Sequence, residues 1–152
     1  MHGCQNQSPA VPGLEPQGIL VAYAGCKNFT PITSSSVDLF SSDSGQECLA
    51  YEYGGAILRI KHINAAFNCC LETIAGNVKI EDNVITIESE GILANGQGCF
   101  CDCLYDVDYE ILNLRPSVYI LVFPGFSRSW EIDLRKTASD LYCEPRNNYP
   151  WK

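Results

Sequence analysis

The chain has 152 residues, with 10 Lys and Arg against 18 Asp and Glu and a formal net charge of -8. That length fits one domain able to bury its own core. The acidic balance, with no basic run longer than Arg135-Lys136, argues against a nucleic-acid partner, which needs a concentrated basic surface. The longest strongly apolar stretch, Gly18 to Gly25, is far short of the roughly 20 residues that span a bilayer.

Residues 1–17 read as a disordered tether. Cys4 is followed by Gln5-Asn6-Gln7-Ser8-Pro9-Ala10-Val11-Pro12-Gly13, polar, Pro-containing and without periodicity. A Cys directly before a tether is the arrangement of a bacterial lipoprotein after signal cleavage, with the lipid on that Cys; a stray thiol in a loose terminus is the plain alternative. Apart from His2, the first basic side chain is Lys27, so no uncut secretory signal is present. The expectation is a chain whose leader has been removed. Tyr23-Ala24-Gly25-Cys26 also looks like a lipobox, but the segment before it lacks a basic start and reads as a strand.

From residue 18 onward a single domain is expected. Gly18 to Gly25 reads as a buried strand, and Ile32 to Gln46, rich in Ser, Thr and Asp, as a loop. Cys48 to Tyr53 alternates. Ala56 to Ile63 places Leu58, Ile60 and His62 on one face, and Gly54-Gly55 marks a hairpin turn between the two runs. Val78 to Glu81 and Val84 to Glu90 are joined by the turn Asp82-Asn83, and Gly91 to Gly98 reads as a loop. Cys99 to Ile111 sets Tyr105, Val107, Tyr109 and Ile111 against Leu104, Asp106, Asp108 and Glu110. Val118 to Phe123 follows, then Ser129 to Leu134 with Trp130, Ile132 and Leu134 on one face, then a short helical turn around Thr137 to Tyr142. Eight or nine short strands predict an all-β antiparallel β-sandwich, with a small closed β-barrel as the alternative. Leu114-Arg115-Pro116-Ser117-Val118-Tyr119 resembles the leucine, proline, tyrosine passage of transthyretin-like and other immunoglobulin-like bacterial sandwich domains, although the usual glycine after the proline is absent.

Of nine cysteines, Cys4 lies in the tether and eight remain: Cys26, Cys48, Cys69, Cys70, Cys99, Cys101, Cys103 and Cys143. An even remainder suits a disulfide-containing extracytoplasmic protein and equally a metal site. On an extended Cys99–Cys103 segment the three thiols share a face about 6.5–7 Å apart. They therefore cannot easily bond to one another, since a disulfide needs Cα atoms about 4.4–6.8 Å apart with converging Cβ atoms. One reading is that cross-strand disulfides link Cys69-Cys70 to Cys99–Cys103, the default fate of thiols in an oxidising compartment. Cys26 and Cys48 would staple the first strands, and Cys143 would tie down the tail. The other reading is a thiophilic metal centre of His62, Cys69, Cys70, Cys101 and Cys103 holding zinc or Cu(I), with zinc as the candidate cofactor. The spacing is not that of a zinc finger or of a C-x-x-C redox motif.

Asp102, Asp106 and Asp108 read as solvated face residues rather than a Ca²⁺ site. Asn64 and Asn68 read as turn residues, Tyr149-Pro150-Trp151 as a terminal plug or a frayed end, and Asn28-Phe29-Thr30 as an N-x-T sequon. Catalysis needs a nucleophile with a base, paired acids or an open metal. Only His2 and His62 supply imidazoles, and no hydrolase, nucleotide-binding or metalloprotease motif occurs. A Cys-His pair of Cys69 or Cys70 with His62 would sit in a crowd of thiols able to oxidise it. The sequence therefore predicts no enzyme.

Cys48-Leu49-Ala50-Tyr51-Glu52-Tyr53, His62-Ile63-Asn64-Ala65-Ala66-Phe67-Asn68-Cys69-Cys70, Cys101-Asp102-Cys103-Leu104-Tyr105-Asp106-Val107-Asp108-Tyr109 and Tyr149-Pro150-Trp151 together resemble an uncharacterised family of small cysteine-rich bacterial surface or periplasmic lipoproteins. The resemblance implies location and architecture and carries over no catalytic residue. The expected function is an extracytoplasmic, disulfide-stabilised sandwich that binds a protein or glycan and meets the membrane only through a lipid anchor, with Cys4 as its candidate.

Overall fold

The computed structural model of the chain describes residues 9–27 and 45–147. His2, Cys4, the sequon at Asn28, most of the Ile32–Gln46 segment and Tyr149-Pro150-Trp151 lie outside the described residues.

Among the described residues nine strands form two sheets. The first contains β1 (Gln17–Gly25), β6 (Asp102–Leu112), β3 (Ile57–Asn68), β2 (Gln46–Gly54) and β9 (Ser139–Pro145), in that spatial order. The second contains β4 (Leu71–Glu81), β5 (Val84–Leu93), β7 (Val118–Val122) and β8 (Trp130–Asp133), also in that order. Neither sheet closes on itself, so the molecule is a β-sandwich and not a barrel. All pairings are antiparallel except β5 with β7.

Alternation along the strands fills the space between the sheets. Leu58, Ile60, Val107, Tyr109 and Ile111 point inward from the first sheet, and Ile85, Ile87, Leu121, Trp130 and Ile132 from the second. The opposite face of β6 is laced by cross-strand ion pairs. Asp106 meets Lys27 Nζ at 2.6 Å, Asp108 meets Lys61 Nζ at 3.4 Å and Glu110 meets Arg59 Nε at 3.2 Å. A Cβ on Gly76 would lie 2.7 Å from Leu20 Cβ, so glycine there lets β4 approach β1.

A bulge between His62 and Ala65 re-aims β3. Asn64 takes φ +61° there and is completely buried. Its amide Nδ2 donates to Gln46 O at 2.7 Å, its Oδ1 accepts from Lys27 Nζ at 2.8 Å, and its backbone N–H donates to Asp106 Oδ1 at 3.1 Å. The extra residue changes parity, so His62 before it and Ala65 after it are both buried. Tyr119 Oη donates to Arg115 O at 2.9 Å, closing the loop before β7. Val11 and Leu14 are pinned to the Asn113 side chain, so the chain is held against the sandwich before β1 begins.

Several boundaries differ from the sequence reading. The hairpin turn is Gly55-Ala56, both at positive φ, one residue later than expected. β3 and β4 meet at a two-residue turn made of Cys69-Cys70, and β5 continues to Leu93. Cys99 and Cys101 lie in an irregular segment before β6, which starts only at Asp102. The helical turn expected around Thr137 to Tyr142 is instead the start of β9, because the edge of β2 offers a full ladder from Glu52↔Ser139 to Gln46↔Pro145.

Candidate functional site

Every cysteine of the domain is bonded. The pairs are Cys26–Cys103, Cys48–Cys143, Cys69–Cys101 and Cys70–Cys99. Four disulfides in so small a β fold indicate an oxidising, extracytoplasmic environment. Cys48 and Cys143 face each other directly across β2 and β9 and fasten that edge strand. Cys26–Cys103 fastens the end of β1 to β6.

The remaining two bonds are in tandem. The turn pair Cys69-Cys70 is bonded to Cys101 and Cys99, with Cα separations of 5.6 and 5.5 Å. Adjacent cysteines pointing opposite ways thus each reach one thiol of a C-x-C segment. Asn68 knits the same two segments. Its Oδ1 accepts from the backbone N–H groups of Cys70 and Cys99, both at 3.0 Å, and its Nδ2 donates to Cys99 O at 2.8 Å. The Cys69 N–H donates to Cys101 O at 3.0 Å. Phe100, the residue between the two bonded cysteines, has a relative accessibility of 114%. No other exposed large hydrophobic side chain approaches that value among the described residues; the next is Leu14 at 59%.

Behind the tip the sulfurs of Cys26, Cys69 and Cys103 lie within 4.8 Å of one another. Two members of the sequence-predicted metal set, Cys69 and Cys103, therefore do meet, joined by Cys26. Cys101 is bonded to Cys69, and Cys70 points away to Cys99. His62 is not brought to the thiols. It stands opposite Val107 on β6, whereas Cys103 stands opposite Phe67, five positions further along β3. The continuation of β3 past the bulge moves the cysteine turn away from the histidine.

His62 instead belongs to a buried polar network. Its Nε2 is 2.6 Å from Glu47 Oε1, and Glu47 Oε2 accepts from Arg146 Nε at 2.8 Å. Glu144, beside Arg146, accepts from Ser127 Oγ at 2.6 Å. Phe123 and Phe126 pack on the imidazole at 5.4 and 5.5 Å between centroids. Nearby, burial pushes the Tyr109 phenol up.

Nothing in the residue pattern marks Glu47 as the partner of His62, since only the β2–β3 register brings them together. Phe100 was visible as the central residue of C-F-C, but its exposure depends on the tandem bonds. Comparison of the chain with protein-family models, curated proteins and solved structures finds no match.

Proposed function

We propose that the chain is a non-catalytic binding module that works outside the cytoplasm, tethered through a lipid on Cys4, and that its ligand is a protein that receives Phe100. The observation that carries this reading is a fully exposed phenylalanine fixed between two disulfides. A soluble domain gains nothing from a bare aromatic ring in water, whereas burying it in a partner contributes about 1.5–3 kcal/mol. The flanking bonds and the Asn68 clamp hold the backbone in place beforehand, so little chain entropy is lost on docking. Glu72 and Asp102 flank the tip, and no Lys or Arg occurs from 62 to 78 or from 80 to 114. The fitting partner surface is an apolar pocket with a basic rim. The resemblance to bacterial surface and periplasmic lipoproteins supports the tether and the location.

The test compares the full chain with its Phe100→Ser variant against extracytoplasmic proteins and a glycan array. Partners held by the wild type are purified, and their Kd values measured for both forms. Loss of ring burial predicts weakening by about 10- to 150-fold for a protein ligand. Equal affinities for every partner would refute the assignment of Phe100. A glycan that responds to the substitution would replace the protein as ligand.

A second reading has its own observation. In reduced protein the Cys26, Cys69 and Cys103 thiolates, whose sulfurs lie within 4.8 Å of one another, are the candidate zinc ligands, once the bonded Cys26–Cys103 pair opens to the spacing of about 3.8 Å that tetrahedral Zn–S bonds of about 2.3 Å require. Cys101, freed from Cys69, would be the fourth ligand. Zinc titration of reduced protein should then give one ion per chain, lost in Cys69→Ser and Cys103→Ser and kept in His62→Ala. Failure of the fully reduced protein to take up one zinc ion per chain would end this reading.

A further inference from the structure

Three of the four bonds follow one another from the tip inward. Cys70–Cys99 comes first, with Cys99 exposed. Cys69–Cys101 is next, both residues half-buried, and Cys26–Cys103 follows, with Cys103 buried and Cys26 exposed. The last two bonds touch. Cys69 Sγ lies within 4.8 Å of Cys26 Sγ and of Cys103 Sγ, although it is bonded to neither. Two intact disulfides do not react with each other, but a thiolate attacks a disulfide sulfur beside it.

Opening Cys69–Cys101 at Cys101 creates that thiolate on Cys69. The turn that carries it is held by contacts that do not depend on the bond. The Cys69 N–H donates to Cys101 O at 3.0 Å, and the Asn68 side chain ties the turn to the Cys99 backbone.

The second observation concerns the leaving sulfur. Tyr105 Oη lies 3.6 Å from Cys103 Sγ, and 3.5 Å from Asn68 O. Burial pushes the Tyr105 phenol up, so it keeps its proton and can donate a charge-assisted hydrogen bond to a thiolate released on Cys103. A stabilised leaving thiolate directs the attack to the other sulfur of the bond, that of Cys26.

We propose that this end of the molecule is a thiol–disulfide exchange site whose substrate is a dithiol, a reduced cysteine pair on another extracytoplasmic protein. One substrate sulfur, as thiolate, attacks Cys101 Sγ. A mixed disulfide forms, and the Cys69–Cys101 bond breaks with its electron pair leaving on Cys69. The Cys69 thiolate attacks Cys26 Sγ. Cys69–Cys26 forms, and Cys26–Cys103 breaks with its pair leaving on Cys103, which takes up the proton that the first substrate thiol lost. The second substrate sulfur then attacks the first, closing the substrate's own disulfide and releasing Cys101, which takes up the second proton. The substrate is oxidised by two electrons, and the protein keeps Cys26–Cys69, Cys48–Cys143 and Cys70–Cys99 with thiols at Cys101 and Cys103. β1 stays fastened throughout, because Cys26 exchanges one partner for another.

The probe is dithiothreitol, one equivalent added to the full oxidised chain at about pH 8, where part of it is thiolate. The reaction is quenched with N-ethylmaleimide. Trypsin with a protease that cuts before aspartate places Cys26, the Cys69-Cys70 pair, Cys99 with Cys101, and Cys103 on four separate peptides. The Cys26 peptide is expected to be joined to Cys69, with maleimide on Cys101 and on a released Cys103 peptide. In the Cys69→Ser, Cys101→Ser double variant the neighbouring thiolate and its high effective concentration are gone, so maleimide on Cys103 should fall about tenfold or more. The wild-type product is read without the variant. Absence of the Cys26–Cys69 link, with Cys26 still joined to Cys103 or with Cys69 joined to Cys103 instead, overturns the proposal. Equal labelling of Cys103 in the double variant overturns it as well, because the dithiol would then be attacking Cys26–Cys103 directly.

Discussion

Removing one of the tandem disulfides should cost much less than half of what removing both costs. Cys69–Cys101 spans 32 residues and Cys70–Cys99 spans 29. In the chain-entropy description, closing a loop of about 30 residues in the unfolded chain stabilises the fold by about 3.6 kcal/mol. Once Cys70–Cys99 is closed, however, Cys69 lies one residue beyond one end and Cys101 two beyond the other. The second bond then closes a loop of only a few residues, worth about 1.6 kcal/mol on the same relation. Cys69→Ser with Cys101→Ser, or Cys70→Ser with Cys99→Ser, should each lower stability by about 1.6 kcal/mol. The quadruple variant should lose about 5 kcal/mol, some 2 kcal/mol more than the two pairs summed. Urea titration of the four proteins, with the other two bonds intact, measures the cycle. In melting temperature, a loss of about 5 kcal/mol corresponds to roughly 10–20 °C for a domain of this size. Costs of about 3.6 kcal/mol for each pair, adding within about 0.5 kcal/mol in the quadruple variant, would show that the two bonds act independently and refute the reasoning.

Asn64→Ala should destabilise by about 2–4 kcal/mol, because it combines a non-glycine residue at φ +61° with the loss of buried partners at Gln46 and Lys27; Asn64→Gly should recover only the backbone part. Tyr119→Phe should cost about 1 kcal/mol, the value of the bond to Arg115 O, with unchanged secondary structure by circular dichroism. The Tyr142 phenol is pushed up to about 12, first by burial and then by Asp140 and Tyr51. A raised folded-state pKa means stability that is complete below pH 10 and is lost as pH rises from 10 through 12. The urea midpoint should fall across that window alongside the tyrosinate absorbance, and the fall should be smaller in Tyr142→Phe.

How legible each part was follows from how local its cause is. Leu58, Ile60 and His62, or Tyr105, Val107, Tyr109 and Ile111, declare a strand with one wet and one dry face, and those faces are as expected. Trp130, Ile132 and Leu134 behave in the same way. The cross-link between Cys69-Cys70 and the C-x-C segment was one of two readings the sequence left open, the other a metal centre, and the extended Cys99–Cys103 geometry behind both is not observed, because Cys99 and Cys101 precede β6. β9 was not legible, because Ser139 to Pro145 shows no alternation, with Leu141, Tyr142 and Cys143 in one run, and takes its extended form from the β2 ladder and Cys48. Nor was the bulge at Asn64, whose buried amide depends on Gln46, Lys27 and Asp106. The bulge decides the site: it carries β3 onward so that the cysteines form a distant turn, and it leaves His62 in the core with Glu47.

The account rests on how the eight domain cysteines are joined. Intact mass before and after reduction, followed by peptide mapping of the unreduced protein, reads this directly. The prediction is a gain of about 8 Da for four bonds on reduction, with peptides linked as Cys26–Cys103, Cys48–Cys143, Cys69–Cys101 and Cys70–Cys99. Free thiols at Cys69, Cys70, Cys99 or Cys101 in the protein as isolated, with or without a bound metal, would contradict it. Phe100 would then have no clamp to present it.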